Sequence, residues 1–297
     1  MQPDNSALNV LVTGAGGNLG RKLLEHFVAA DWCRSVVGVS LTFGPDAIPS
    51  HDKLRLVWAD LSDSGDARWR AAFEGVDAVV HLAAQHPYPD ASWPDSAASV
   101  DITLNVIESA RAVGARRVVF ASSNYVMGGY KEAGLKAGEL TPDLPPRPGT
   151  RFGGAGDDQN GAPYATAKLM GERICAAGAR ASAGALSTVA LRIGWCRPGD
   201  NRPEEITLEA LPGAKLEAAP DADSLRDLRW LRDMWLSNRD LCALMECAVR
   251  ADATALPSPA VVVNGNSANQ GMPWNLDGAR NWLGYAPQDN LYAGVKP

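Results

Sequence analysis

A doubly wound α/β fold built on a parallel sheet is predicted by three features of this 297-residue chain. Valine-rich apolar runs alternate with helical stretches over the first two-thirds. The first run passes into the first helix through a glycine turn. The runs are apolar almost without interruption, as strands covered on both faces are.

The strands read in order as NVLVTG (9–14), SVVGVS (35–40), LRLVWAD (54–60), DAVVHLA (77–83), RRVVFAS (116–122) and LSTVALRI (186–193). Helices are expected over 17–30, 65–74, about 95–113 and 163–180. This β-α-β rhythm predicts a Rossmann-type doubly wound parallel sheet over residues 1–194, with a small C-terminal substrate-binding lobe. That lobe takes most of 195–297, and a late strand at about 260–264 returns to the sheet. Residues 141–162 and 197–224 are rich in Pro, Gly and acid and break the rhythm. They follow strand carboxyl ends, where open α/β sheets bind ligands, so a substrate lid is expected there.

Composition narrows the partners. A net charge of −6 and a pI near 5.3 leave no footprint for nucleic acid or an acidic membrane surface. No apolar run approaches the ~20 residues of a membrane span, and the N-terminal stretch has no signal-peptide pattern. Five cysteines without CxxC spacing suit reduced thiols, so a cytoplasmic location is expected. The four histidines and the cysteines show no metal-ligand spacing, and no metal is expected.

In VLVTGAGGNLGRKLLEHF, Gly14, Gly17 and Gly20 form a GxxGxxG turn between strand and helix. Small residues there let the backbone approach a pyrophosphate, which the helix N-terminus attracts. Asp60 ends the third strand and either accepts from an adenine amino group or caps the next helix. His81, inside an apolar strand, reads as a core histidine. The acid that binds a ribose 2′-hydroxyl in NAD sites is absent: Val39, Ser40 and Thr42 stand there. NAD and NADP both stay open, with Arg21 and Arg55 as the nearby cations.

GAPYATAKLMGER (161–173) sets Tyr164 four residues before Lys168 at a helix start. Alone, this is an ordinary helical pair. Beside a dinucleotide it becomes acid-base machinery: the ammonium and the nicotinamide charge are expected to lower the phenol pKa for proton abstraction. Ser122 and Ser123 end the fifth strand, and Ser123 is expected to orient the substrate oxygen, with Asn124 as a second polar contact.

TGAGGNLG, ADL, HLAA, VVFASSN and YATAK resemble, in this order, the motifs of the extended short-chain dehydrogenase/reductase family of nucleotide-sugar epimerases and dehydratases. FASSN, LRIGWCRP, WLSNRDLCALMECAVRA and LGYAPQDN extend the likeness, within that family, to its uronate dehydrogenase subgroup. The resemblance implies NAD(P)-linked oxidation of a hydroxyl on a sugar or sugar acid, the anomeric one in that subgroup. It implies Ser123, Tyr164 and Lys168 as the catalytic set, with Tyr164 and Lys168 also touching the cofactor. Gly14, Gly17, Asn18, Leu19 and Gly20 then hold the pyrophosphate, and Asp60 and Leu61 meet adenine. Ser40, Leu82, Ala83, Ala84 and Ile193 complete the cofactor contacts. His86, Ser123, Asn124, Tyr164 and Arg229 meet the sugar, with Arg232 the rival to Arg229 for its carboxylate; Arg192 is structural. By the same analogy, helices 95–113 and 163–180 pair between subunits of a homodimer.

The chain departs from the subgroup at Trp195, where a small polar residue is expected, and at Ser99, where an asparagine is typical. Two other activities fit the same residues: a nucleotide-sugar epimerase or dehydratase with bound NAD, and a non-catalytic dinucleotide sensor. A carbonyl reductase with an apolar substrate would suit Trp195.

Overall fold

A computed structural model describes residues 7–44, 50–84, 92–151, 161–210 and 220–295. Among these residues, seven strands form one all-parallel sheet: β1 Leu8–Thr13, β2 Cys33–Ser40, β3 Leu54–Trp58, β4 Ala78–His81, β5 Arg117–Ser123, β6 Ser187–Ile193 and β7 Ala260–Gly265. Their order across the sheet is β3-β2-β1-β4-β5-β6-β7. The order reverses between β1 and β4, and the crevice beyond their carboxyl ends is where such a sheet takes ligands.

The continuous apolarity of the strands has a direct cause. Alternate residues of each strand enter opposite cores. In β5, Val119 and Ala121 join one core and Val118 and Phe120 the other. The first core is closed by α1 Asn18–Ala29, α6 Asn238–Arg250 and α7 Asp277–Leu283. The second is closed by α2 Ala67–Ala71, α3 Trp93–Ala112 and α4 Ala162–Ala181. A third core, around Trp230, Trp235 and Trp274, joins α5 Ala222–Asp233 and the C-terminal part to Val126, Met127, Tyr130 and Leu140 of the segment after β5.

Two elements are shorter than their patterns suggest. β3 stops at Trp58 because Asp60 folds the chain back, its Oδ1 accepting from the Ser62 amide (2.9 Å) and hydroxyl (2.7 Å). α2 spans five residues; Asp66 caps its start and Gly75, at φ +71°, turns the chain soon after its end. Asp66, not Asp60, is therefore the cap of that helix.

His81 is fully buried between Thr13 (2.7 Å) and Thr103 (3.1 Å). Burial, and then the Lys168 charge, push its pKa from 6.5 down to about 3. Between those values the unfolded chain binds one proton more than the folded one. This contribution is therefore complete above pH 6.5 and lost as pH falls toward 3. Stability is expected to drop by ~1.4 kcal/mol per pH unit in that window. Urea unfolding at several pH values checks this: His81→Asn should flatten the slope, and an unchanged slope would refute the assignment.

Candidate active site

Thr13 builds the joint at the switch point. Its Oγ1 accepts from the Leu82 (3.2 Å) and Ala83 (3.1 Å) amides, tying the ends of β1 and β4 together. Gly14 follows at φ +67°, and a methyl placed on it would meet the Ala83 nitrogen at 2.8 Å. Only glycine permits both the backbone angle and the approach. A methyl on Gly20 would lie 2.4 Å from the Gly14 oxygen. α1 begins at Gly17 with no side-chain cap and no acid in its first turn. The first turn of α1 thus presents its N–H groups with no side-chain cap and no acid of its own. This cradle fits the pyrophosphate of a dinucleotide.

The flanking residues sort by contact. Asn18 donates through Nδ2 to the Cys196 carbonyl (2.9 Å), so its side chain ties the glycine turn to the segment after β6. Leu19 packs on the first core. Leu61 is buried in the second core, and its carbonyl accepts from Asn105. Ser40 ends β2, its Oγ 3.1 Å from where a methyl on Gly16 would stand. Leu82 and Ala83 are half-buried, and Ala84 is exposed. Ile193 ends β6 opposite Ser123. His86 lies outside the described residues.

Ser123, Tyr164 and Lys168 converge where β5 meets the start of α4. The buried Ser123 hydroxyl accepts from the Tyr125 amide (3.2 Å) and lies beside the Tyr164 phenol, whose pKa it lowers. Lys168 Nζ lies 5.7 Å from the Tyr164 ring centroid and donates to the Ala121 carbonyl (2.8 Å). Tyr125 stands edge-on to Tyr164, with centroids 6.3 Å apart. Ser122 turns elsewhere, donating to Glu172 (2.6 Å).

Burial raises the Tyr164 phenol above its ordinary value, and Ser123 offsets part of that rise. The same burial lowers Lys168 from 10.5 to about 8. In this environment the lysine remains mostly protonated at neutral pH.

Asn124 is 1% exposed, and neither end of its amide has a partner among the described residues. A buried amide in this state is costly unless something enters to bond it, as sugar hydroxyls do. Arg229 is held by contacts within the chain. Its Nε bonds Asp233 (2.9 Å), one of its Nη atoms donates to the Gln270 carbonyl (3.1 Å), and it stacks on Tyr292 at 4.7 Å. Arg232 donates to the Ile206 carbonyl (3.3 Å). Trp195 is half-buried under the Arg197 guanidinium (5.5 Å).

Glu172 was not among the expected site residues, although it continues the spacing Tyr164, Lys168, Glu172 on one face of α4. Its partner, Arg192, lies on a distant strand and had been assigned a structural place alone.

The model of the NAD dependent epimerase/dehydratase family matches residues 10–262. The chain belongs to this family. L-arabinose 1-dehydrogenase (NAD(P)(+)) of Haloferax volcanii is 34% identical, over 95% of this chain and 96% of its own. NAD-dependent glucose-6-phosphate dehydrogenase of the same organism is 32% identical, over 95% of this chain and 93% of its own. A mutant of uronate dehydrogenase from Agrobacterium tumefaciens, solved with NAD, superposes with a TM-score of 0.62 at 25% identity. That match covers 97% of this chain and 87% of the other. Within the epimerase/dehydratase family the chain is an NAD(P)-dependent dehydrogenase, and the relatives above are named for sugar substrates.

Proposed function

We propose that the chain oxidises the anomeric hydroxyl of a free neutral sugar, with Tyr164 as the proton acceptor. The observation carrying this reading is the meeting of Ser123, Tyr164 and Lys168 beside the glycine cradle. Bound NAD(P) supplies the hydride acceptor. Ser123 holds the substrate hydroxyl, and Tyr164 removes its proton. Lys168, charged below about 8, lowers the cost of the phenolate while the hydroxyl is being oxidised. Gly14, Gly17 and Gly20 hold the pyrophosphate, and Leu82, Ala83 and Ile193 bound the cofactor from β4 and β6.

Asn124 offers both amide ends to sugar hydroxyls. The pairing of Arg229 with Asp233 cancels the charge that a uronate carboxylate would seek, which favours a neutral sugar. No carboxylate stands at Ser40, Leu41 or Thr42 to repel a 2′-phosphate, and the Arg21 guanidinium lies against Gly44. Both NAD and NADP are therefore proposed as cofactors.

Reduced-nicotinamide absorbance, with each cofactor against neutral aldoses, sugar phosphates and uronates, tests this. The expected result is turnover of a neutral aldose with both cofactors. A preference for uronates would overturn the substrate class. Tight cofactor binding without net reduction of any sugar would point instead to an epimerase that returns the hydride.

A further inference from the structure

We propose that Ser122, Glu172 and Arg192 form a positioning device that sets α4 against β5, and so aligns Tyr164 and Lys168 with Ser123. The proposal rests on the catalytic reading of those three residues. Glu172 follows Lys168 by one helical turn. Its Oε1 accepts from the Ser122 hydroxyl (2.6 Å) and from Arg192 Nε (2.9 Å), and its Oε2 accepts from an Arg192 Nη (2.9 Å). The remaining Arg192 Nη donates to Met127 Sδ (3.1 Å) and to the Pro142 carbonyl (3.3 Å). Ser122, Glu172 and Arg192 are 1%, 3% and 2% exposed.

The arrangement spans α4, β5, β6 and the chain that follows β5. Lys168 pins α4 to Ala121, and Glu172 pins it to Ser122; Ser123 is the next residue. A reacting geometry lost by ~1 Å costs ~10²-fold in rate, so fixing a helix at two adjacent residues has a catalytic consequence. Stability explains the pair poorly. Burying two charges costs desolvation, and apolar residues of similar volume often replace such pairs without loss.

The pair also keeps the surroundings of Lys168 neutral. Around that amine stand Tyr164 and Cys175 from α4, Phe120 and the Ala121 carbonyl from β5, and uncharged His81 from β4, with the Glu172–Arg192 pair one helical turn along α4. Removing one member of the pair leaves an uncompensated buried charge of known sign.

The test uses the full chain with Glu172→Gln, Arg192→Met, the double variant Glu172→Met/Arg192→Met, and Ser122→Ala. Thermal unfolding, turnover, and the pH dependence of NAD affinity by tryptophan fluorescence are measured for each. The double variant should stay folded and bind NAD within ~3-fold, with kcat down ~10- to 100-fold and KM for the sugar little changed. Glu172→Gln should move the alkaline limb of NAD affinity to lower pH, and Arg192→Met to higher pH. The double variant should return that limb to its original place. Ser122→Ala, which removes one hydroxyl and no charge, should lower kcat several-fold, and it keeps the test open if the pair variants do not fold. Full kcat in a folded double variant, or in Ser122→Ala, would overturn the proposal. If Tyr164→Phe itself keeps full activity, the catalytic reading has failed rather than the positioning one.

Discussion

Tyr164→Phe should lower kcat by ~10²- to 10⁴-fold, the range expected for loss of one positioned proton-transfer group. Affinity for NAD should change little, because the ring and its contact with Tyr125 remain. The variant removes one oxygen beside Ser123, on a ring whose centroid lies 5.7 Å from Lys168 Nζ. Burial holds the unloaded phenol above its ordinary pKa, so the phenolate is scarce until cofactor and substrate bind. The rate should therefore rise with pH in the native enzyme, then fall as Lys168 loses its proton above about 8. In the variant the rising limb should vanish. Single-turnover kinetics with the aldose found in the substrate panel measure this, and a variant retaining more than a tenth of native kcat would remove Tyr164 as the acceptor.

Gly20→Ala should weaken dinucleotide binding by ~100-fold or more, equivalent to ~2.7 kcal/mol. The added methyl would stand 2.4 Å from the Gly14 oxygen and 2.6 Å from Ala15 Cα. Both are backbone atoms, so no side chain can swing aside. Either α1 moves away from the turn or the turn itself opens, and each removes the aligned N–H groups from the pyrophosphate. The same strain should lower stability by ~1–3 kcal/mol. Fluorescence titration with NAD and urea unfolding separate the two effects. Native affinity in this variant would show that the glycine turn does not hold the cofactor.

Much of this architecture is legible in the sequence because strands buried on both faces are marked by nearly unbroken valine runs. The six runs found in the first 194 residues correspond to β1 through β6, with no end shifted by more than two residues. Boundaries drift where a side chain ends the strand locally, as Asp60 does after β3. The site is less legible. Tyr164 and Lys168 share a helix, so their spacing is visible in the sequence. The choice between Ser122 and Ser123 depends on where Glu172 and Tyr164 sit across a helix-strand contact, which no local pattern encodes. Arg229 looked like a carboxylate clamp because its partner, Asp233, is four residues on and reads equally well as solvent-facing charge. Its stacking on Tyr292, 63 positions later, could not be read from either segment.

The junction between sheet and C-terminal part carries a consequence for re-engineering. Trp195 pairs with Trp235 in a backbone bridge, and a methyl on Gly194 would meet the Met234 oxygen at 2.0 Å. Beyond that junction, α6 closes the first core and β7 extends the sheet. The segment that would confer substrate choice is thus threaded through the scaffold that holds the cofactor. Transplanting everything after residue 194 from a relative would exchange two helices, α6 and α7, and a strand of the nucleotide-binding half as well. If the proposed reading holds, sugar preference would be altered by point changes around Asn124 and Trp195, not by swapping modules.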